Sequence, residues 1–375
     1  MHDGGERMQP TQPKSKMERV YNFGAGPAML PTEVLSQIAA DIPIWRQGCS
    51  VMELSHRLQD VMAMAHETEM LLRSLLEISD DYAVLFMHGG ARTQFAGVPL
   101  NLLGTQKKAH YVISGYWSNQ AYQEAKKYCD PIVVADSHHQ SLEAVFNFSN
   151  WQEREDAAYL HFTDNETIDG VEFLDYPKSF GAPLVSDITS SVLTKSLNIN
   201  SFGLLYASAQ KNLGIAGLTI VIVRRDLLDL AHAYTPHTLH YKTGDATQSM
   251  FNTPPVFCWY VCGLILKWVK KQGGVPMMSK NAMARAQRLY HIIDSSDFYE
   301  NKVPQAFRSR INVPFLLKNP ELEKEFIHQA AQRVLLFLEG HRVVGGLRAS
   351  LYNAMPLEGV DALVSFMKDF EKHNG

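Results

Sequence analysis

Short apolar runs alternate with stretches of helical spacing through the middle of the chain. Tyr82 to Met87 (YAVLFM) carries no charge and ends in His88-Gly89-Gly90. Apolar positions from Thr93 to Leu103 then recur at helical spacing, and Gly104 closes the stretch. This pattern predicts a strand, a tight turn and a helix. Six further runs have the length and composition of strands buried on both faces: Ala109–Ser114, Pro131–Ala135, Ala158–Phe162, Pro183–Ile188, Gly203–Ala207 and Leu218–Val223. With intervening helical stretches such as Ser118–Tyr128, they predict an α/β unit, a mostly parallel seven-stranded sheet sandwiched by helices.

From about residue 270 the pattern changes to a long polar helix around Lys280–Ile293, an extended Arg310–Leu316, a helix over Pro320–Leu338 and a closing helix over Glu358–Glu371. These predict a smaller α+β domain. The division that follows is a lead-in at 1–16, an N-terminal segment at 17–70 expected to pack with the small domain, a large domain at 71–270 and a small one at 271–375. A chain of 375 residues suits two domains at roughly 100–200 residues each.

Charge and cysteine usage narrow the function classes. The 35 basic and 39 acidic side chains leave a net charge of −4 with no Lys/Arg block, so nucleic acid is not an expected partner. The longest apolar run, Val256 to Leu266, stops at Lys267, well short of the roughly 20 residues a membrane span needs, and reads as a buried helix. The lead-in MHDGGERMQPTQPKSK has no apolar stretch of the signal-peptide kind. Four cysteines without a CxxC pair suggest neither a disulfide framework nor a structural zinc site, so a cytoplasmic, reducing setting is expected. Cys258 and Cys262 sit four apart among apolar residues and read as core cysteines.

Candidate chemistry gathers in residues 183–223. Asp187 ends one apolar run, and Lys211 follows another after Ser208-Ala209-Gln210. A carboxylate and a lysine at the ends of neighbouring strands meet at the sheet edge where α/β proteins bind ligands. There the lysine can form a Schiff base with a carbonyl cofactor and the carboxylate can pair with a pyridinium nitrogen. A surface lysine and a helix-capping aspartate fit the same spacing. The turn HGGAR at 88–92 opens a helix and suits a phosphate, although it lacks both the GxxxxGK[ST] and GxGxxG patterns and also fits a plain tight turn. His341, Arg342 and Arg348 among glycines, and His56 with Arg57, offer cations for planar anions, or are surface charges. His232, His237 and His240 fit no metal-ligand spacing, and no metal is expected.

Taken together, several segments resemble the phosphoserine aminotransferases, class V fold-type I enzymes that use pyridoxal 5′-phosphate in serine biosynthesis. The likeness runs from Tyr21 to Gly375 and is carried by NFGAGPAMLP (22–31), SHR (55–57), HGGARTQFAGVPLNLL (88–103), GYW (115–117) and NETIDG (165–170). It continues in SD (186–187), SAQKN (208–212), MFNTPP (250–255) and GHRVVGGLRASLYNAMP (340–356). The resemblance implies a homodimer with active sites at the subunit interface. It implies Lys211 as Schiff-base lysine and general acid/base, Asp187 facing the pyridinium nitrogen, Trp117 stacked on the ring and Thr167 on the ring oxygen. The cofactor phosphate would be held by Ala91, Arg92 and Gln210, with Asn252 and Thr253 from the partner subunit. Arg348 would bind the substrate α-carboxylate. His341 and Arg342, with His56 and Arg57 of the neighbouring subunit, would bind the distal anion.

Glutamate and phosphoserine each carry an α-carboxylate and a second anion, so a pocket with arginine at both ends serves both halves of one transamination. The resemblance thus implies amino transfer between glutamate and 3-phosphohydroxypyruvate. 4-Phosphohydroxythreonine, used by some relatives in pyridoxal phosphate biosynthesis, differs by little more than a hydroxyl and a carbon, a small difference for a pocket to read. Two other readings remain: another class V enzyme, such as a cysteine desulfurase or lyase, and a catalytically silent cofactor-binding protein. The first needs a mobile cysteine, and the second has no use for Lys211 or for paired anion sites.

Overall fold

The computed structural model describes residues 19–151, 157–177, 181–342 and 344–375. The expected lead-in at 1–16 lies outside them. Seven strands form the main sheet: β1 (Tyr82–Gly89), β2 (Lys108–Ile113), β3 (Asp130–Asp136), β4 (Ala157–Thr163), β5 (Leu184–Asp187), β6 (Leu204–Ser208) and β7 (Gly217–Arg224). Their spatial order is β1-β7-β6-β5-β4-β2-β3, and only β7 runs antiparallel to its neighbours.

The continuous apolar runs are explained by burial on both faces. Along β1, Tyr82, Val84 and Phe86 enter one core while Ala83, Leu85 and Met87 enter another, the period-2 alternation of a strand. The first core is closed by helices α1 (Thr32–Asp41), α2 (Gln59–Leu76) and Val256–Lys271, through Ile38, Leu72 and Leu266 among others. The second is closed by α3 (Ala91–Leu102) and α4 (Tyr116–Ala125), through Val98, Leu102 and Ala121. The helix over Val256–Lys271 is α5.

A four-stranded antiparallel sheet follows: β8 (Tyr299–Glu300), β9 (Asn312–Leu317), β10 (Glu339–His341) and β11 (Gly345–Ser350), in the order β8-β9-β11-β10. It packs with α6 (Gly274–Asp294), α7 (Glu323–Gln332) and α8 (Leu357–Asn374) around a third core rich in aromatic rings, including Tyr299, Phe315, Phe326, Phe366 and Phe370. Edge-to-face and tilted contacts among these rings, such as Phe326–Phe370 at 5.1 Å, are the arrangement aromatic quadrupoles favour.

Three sequence expectations need correction. The helices of the 17–70 segment pack chiefly away from the small unit: α1 and α2 join the core of the main sheet against α5, and α2 touches the small unit through α6. The start of the segment reaches the small unit more fully, where Tyr21–Asn22 pairs with Leu335–Leu336 and Phe23 and Met29 enter the aromatic core. Amphipathic spacing says which face of a helix is buried, not against what. The helix expected over Pro320–Leu338 ends at Gln332, because Leu335 and Leu336 are taken up by that strand pairing between Val334 and Phe337, both at positive φ. Finally, Cys262 is buried as expected but Cys258 is only half-buried, with its Sγ 3.3 Å from the Ala216 carbonyl.

Candidate active site

The carboxyl ends of β1, β4, β5 and β6 meet the start of β7 along one edge of the main sheet. The register sets Gly217 beside Gly89, Thr219 beside Ser208 and Asp187 beside both Thr163 and Tyr206. Lys211 stands in the turn after β6, half-buried with its open side on a cavity, and its Nζ donates to Thr167 Oγ1 at 2.6 Å. Burial pushes its amine down to about 8. The Asp187 charge opposes that shift and Arg348 adds to it.

Asp187, the last residue of β5, is buried. Its Oδ1 accepts the Thr189 N–H at 2.8 Å. Burial pushes its carboxyl above the ordinary range, against the opposing pull of the Thr189 hydrogen bonds and of Lys211. A buried carboxylate in this condition has one evident use, pairing with a cation brought in by a ligand.

On the near side, the chain leaves β1 through Gly89, whose φ of +99° requires glycine, and α3 begins at Ala91. The first N–H groups of that helix lack intrahelical partners and face outward with the positive end of its dipole. Ser208 and Gln210 hydrogen-bond each other beside this turn. Trp117, in the first turn of α4, lies with the Arg92 guanidinium 5.2 Å from its ring centroid.

The small unit supplies the opposite wall. Arg348 of β11 is half-buried and its Nε is enclosed without a hydrogen-bond partner. His341 of β10 packs on the Tyr116 ring at 5.1 Å, and burial together with the Arg348 and Arg342 charges lowers its pKa. These elements enclose a cavity of about 680 Å³ lined by Ala25, Gly26, Pro27, Gly89, Gly90, Trp117, Thr167, Ile168, Ser208, Gln210, Lys211, Ala216, Gly217, His341 and Arg348.

Of the residues singled out in the sequence, Trp117, Thr167, Gln210, Lys211, His341 and Arg348 therefore line one cavity. Asp187, Ala91 and Arg92 adjoin it through the elements just described. Arg342 is exposed and off the wall, although its charge reaches His341. His56, Arg57, Asn252 and Thr253 do not line it. The first two lie in the turn before α2, and Thr253 offers its carbonyl to His88 Nε2 at 2.7 Å on the outer side of β1.

Two carboxylates that the sequence reading passed over, Glu166 and Asp169, hold the start of α4. Their only signal is their place on either side of Thr167 in NETIDG. Among the described residues, no group of three or more His, Cys, Asp or Glu is arranged to hold a metal ion, and no helix is long and apolar enough to cross a membrane.

The cavity thus offers a lysine readily made neutral, a buried carboxylate awaiting a cation, a helix N-terminus for an anion, an indole face for a ring and an arginine for a carboxylate. The family model of class-V aminotransferases matches residues 20–363. Among solved structures, a phosphoserine aminotransferase from Bacillus circulans subsp. alkalophilus is 42% identical. It aligns over 96% of this chain and 100% of its own, with a TM-score of 0.92. A pyridoxal phosphate-bound phosphoserine aminotransferase from Trichomonas vaginalis is 38% identical over 93% of this chain and 100% of its own, with a TM-score of 0.89. Another, from work on radiation damage of its Schiff base, is 39% identical over 95% and 100%, with a TM-score of 0.92.

Proposed function

The chain belongs to the class-V aminotransferases, and from that premise we propose that it is a phosphoserine aminotransferase. It moves the amino group between L-glutamate and 3-phosphohydroxypyruvate, giving O-phospho-L-serine and 2-oxoglutarate, with pyridoxal 5′-phosphate as cofactor. The observation that carries this reading is the placement of Lys211, Asp187 and Arg348 about one cavity in a chain this similar to phosphoserine aminotransferases. The cofactor fits what is present. The buried Asp187 meets a pyridinium cation, the glycine turn and the α3 start meet a phosphate, and the unpartnered Arg348 Nε awaits a substrate carboxylate.

When bound, the cofactor supplies an aldehyde that takes up the amino group and a ring that withdraws electrons from the substrate Cα. The protein's own groups do the rest. Lys211 would hold the aldehyde and move the proton at the substrate Cα, its lowered basicity enlarging the neutral fraction of the amine. Thr167 keeps Nζ in place. Asp187 would hold the ring nitrogen cationic, and Trp117 would cover the ring. Ala91, Arg92 and Gln210 would hold the phosphate. Arg348 orients the α-carboxylate, and His341 with Arg342 draws in the distal anion.

The same reading assigns Asn252 and Thr253 to the phosphate, and His56 and Arg57 to the distal anion, in the active site of a partner subunit. That requires a homodimer, because none of the four lines the cavity of its own chain. A cytoplasmic setting and turnover of 4-phosphohydroxythreonine for pyridoxal phosphate synthesis complete the proposal. The desulfurase alternative lacks a nucleophile, since burial pushes the thiols of Cys129 and Cys262 up to about 11 and about 12 and no cysteine lines the cavity among the described residues.

The test is direct. Holoenzyme is expected to be yellow, to change its visible spectrum on addition of L-glutamate and to recover it with 3-phosphohydroxypyruvate. Borohydride is expected to fix the cofactor to the peptide that contains Lys211. Label on another lysine, or no spectral response to glutamate, rejects the reading.

A further inference from the structure

The first turn of α4 is held by more than an ordinary helix cap. Glu166, wholly buried, accepts the Trp117 N–H on Oε2 at 2.8 Å. On Oε1 it accepts the Ser118 N–H at 2.8 Å and the Ser118 hydroxyl at 2.6 Å. Asp169 accepts the Tyr116 N–H on Oδ2 at 2.9 Å. Three consecutive helix N–H groups are thus met by two carboxylates of one short turn. A side chain at Gly115 has no room, since a Cβ there would lie 2.8 Å from Glu166 Cγ and 2.7 Å from Asp169 Cγ.

Two adjacent buried carboxyl groups are a costly way to cap a helix. Serine or asparagine at the N-cap would meet one of these donors with a neutral group and leave the rest to water. The cost shows in Glu166, whose carboxyl is pushed up to about 8 by burial and by the Asp169 charge, against the hydrogen bonds from Ser118 and Trp117. The Trp117 indole N–H has no hydrogen-bond partner, so no polar atom of the side chain fixes the ring. Its position is set by its backbone, by Tyr116 packed edge-on at 5.2 Å and by Arg92 over its face. The residue after Glu166 is Thr167, the acceptor for Lys211. One turn therefore holds the lysine on one side and the tryptophan-bearing helix on the other.

We propose that Glu166, supported by Asp169, is a positioning residue that sets the Trp117 ring at a fixed height over the cofactor relative to Lys211, and sets Tyr116 against His341. The proposal rests on the reading of Trp117 as the residue that covers the cofactor ring. A buried carboxyl suits this task because its two oxygens take three donors of the helix start at once, which fixes the backbone at more points than a single capping oxygen does. A displacement of 0.5–1 Å forfeits roughly a quarter to a half of a stacking contact.

A double-mutant cycle tests it, read as the affinity of cofactor-free protein for pyridoxal phosphate and the visible circular dichroism of the bound form. Glu166→Gln keeps the size of the side chain but turns a donor toward one of the two N–H groups. It is expected to weaken cofactor binding about ten-fold and shrink the dichroism when Trp117 is present, and to change affinity less than about two-fold in a Trp117→Ala background. Equal losses in both backgrounds, or none in either, overturn the positioning role. If Trp117→Ala alone leaves affinity unchanged, the stacking reading itself falls, and the role with it. Should Glu166→Gln fail to fold, Ser118→Ala removes the hydroxyl that Glu166 accepts, together with that hydroxyl's bonds to the Ser114 and Gly115 N–H groups, and its smaller loss, about three-fold, is expected to vanish in the same background.

Discussion

At the scale of single residues, the proposed mechanism turns on two groups whose burial opposes their charge. Lys211 is lowered to about 8 from the 10.5 of an exposed lysine, so the neutral amine that attacks an aldehyde is the minor form below that pH and the major form above it. The rate at which cofactor-free protein captures pyridoxal phosphate is expected to rise with pH and level off above about 8, read by stopped-flow absorbance. A midpoint at the ordinary lysine value would remove the role of burial. Asp187 carries the opposite burden. With the ring nitrogen bound, its charge is matched; with Asp187→Ala, that nitrogen loses its reason to stay protonated. The variant is expected to keep measurable cofactor binding, through the phosphate and Trp117 contacts, and to lose most turnover. Near-native turnover would show that the ring needs no buried anion.

At the scale of elements, the short turn at 165–170 governs more than its length suggests, and Gly115 is where that is easiest to measure. Gly115→Ala would drive a methyl into the two carboxylates that hold α4. It is expected to cost on the order of 1–3 kcal/mol in chemical denaturation, as over-packing does, and to weaken cofactor binding as well. A variant as stable as the parent would mean that the turn yields easily. This turn also marks the limit of what the chain discloses on inspection. The seven main strands were legible because burial on both faces turns each into an unbroken apolar run, and Asp187 and Lys211 were legible as polar residues following such runs. Glu166 was not, because its contacts are with a helix start 49 positions earlier. The tail of α7 misled for a related reason. Leu335 and Leu338 satisfy helical spacing, yet both are buried in a core to which residue 23 also belongs. Periodicity reports that a side chain is buried and is silent about its partner.

At the scale of the whole molecule, the cavity is assembled from both units, but nothing from residues 28–88 lines it among the described residues. His56 and Arg57 sit in the turn before α2, with Arg57 exposed and its N–H on Ser55 Oγ at 3.3 Å. If they bind the substrate's distal anion, they do so in a partner's site. An arginine on a phosphate dianion, partly desolvated, makes a charge-assisted pair whose truncation costs on the order of 2–4 kcal/mol. Arg57→Ala is therefore expected to raise the Michaelis constant for phosphoserine at least ten-fold and to leave the visible spectrum of the holoenzyme unchanged. Which subunit it serves follows from mixing. A heterodimer of one Arg57→Ala subunit and one Lys211→Ala subunit places both lesions in one site if Arg57 acts across the interface, leaving the other site whole. If Arg57 acts within its own chain, each site keeps one lesion. Assayed at low phosphoserine, the mixture is expected to exceed both parents, approaching half the native activity per heterodimer. Heterodimers demonstrated by native mass spectrometry yet no more active than Arg57→Ala alone would place Arg57 in its own subunit's site.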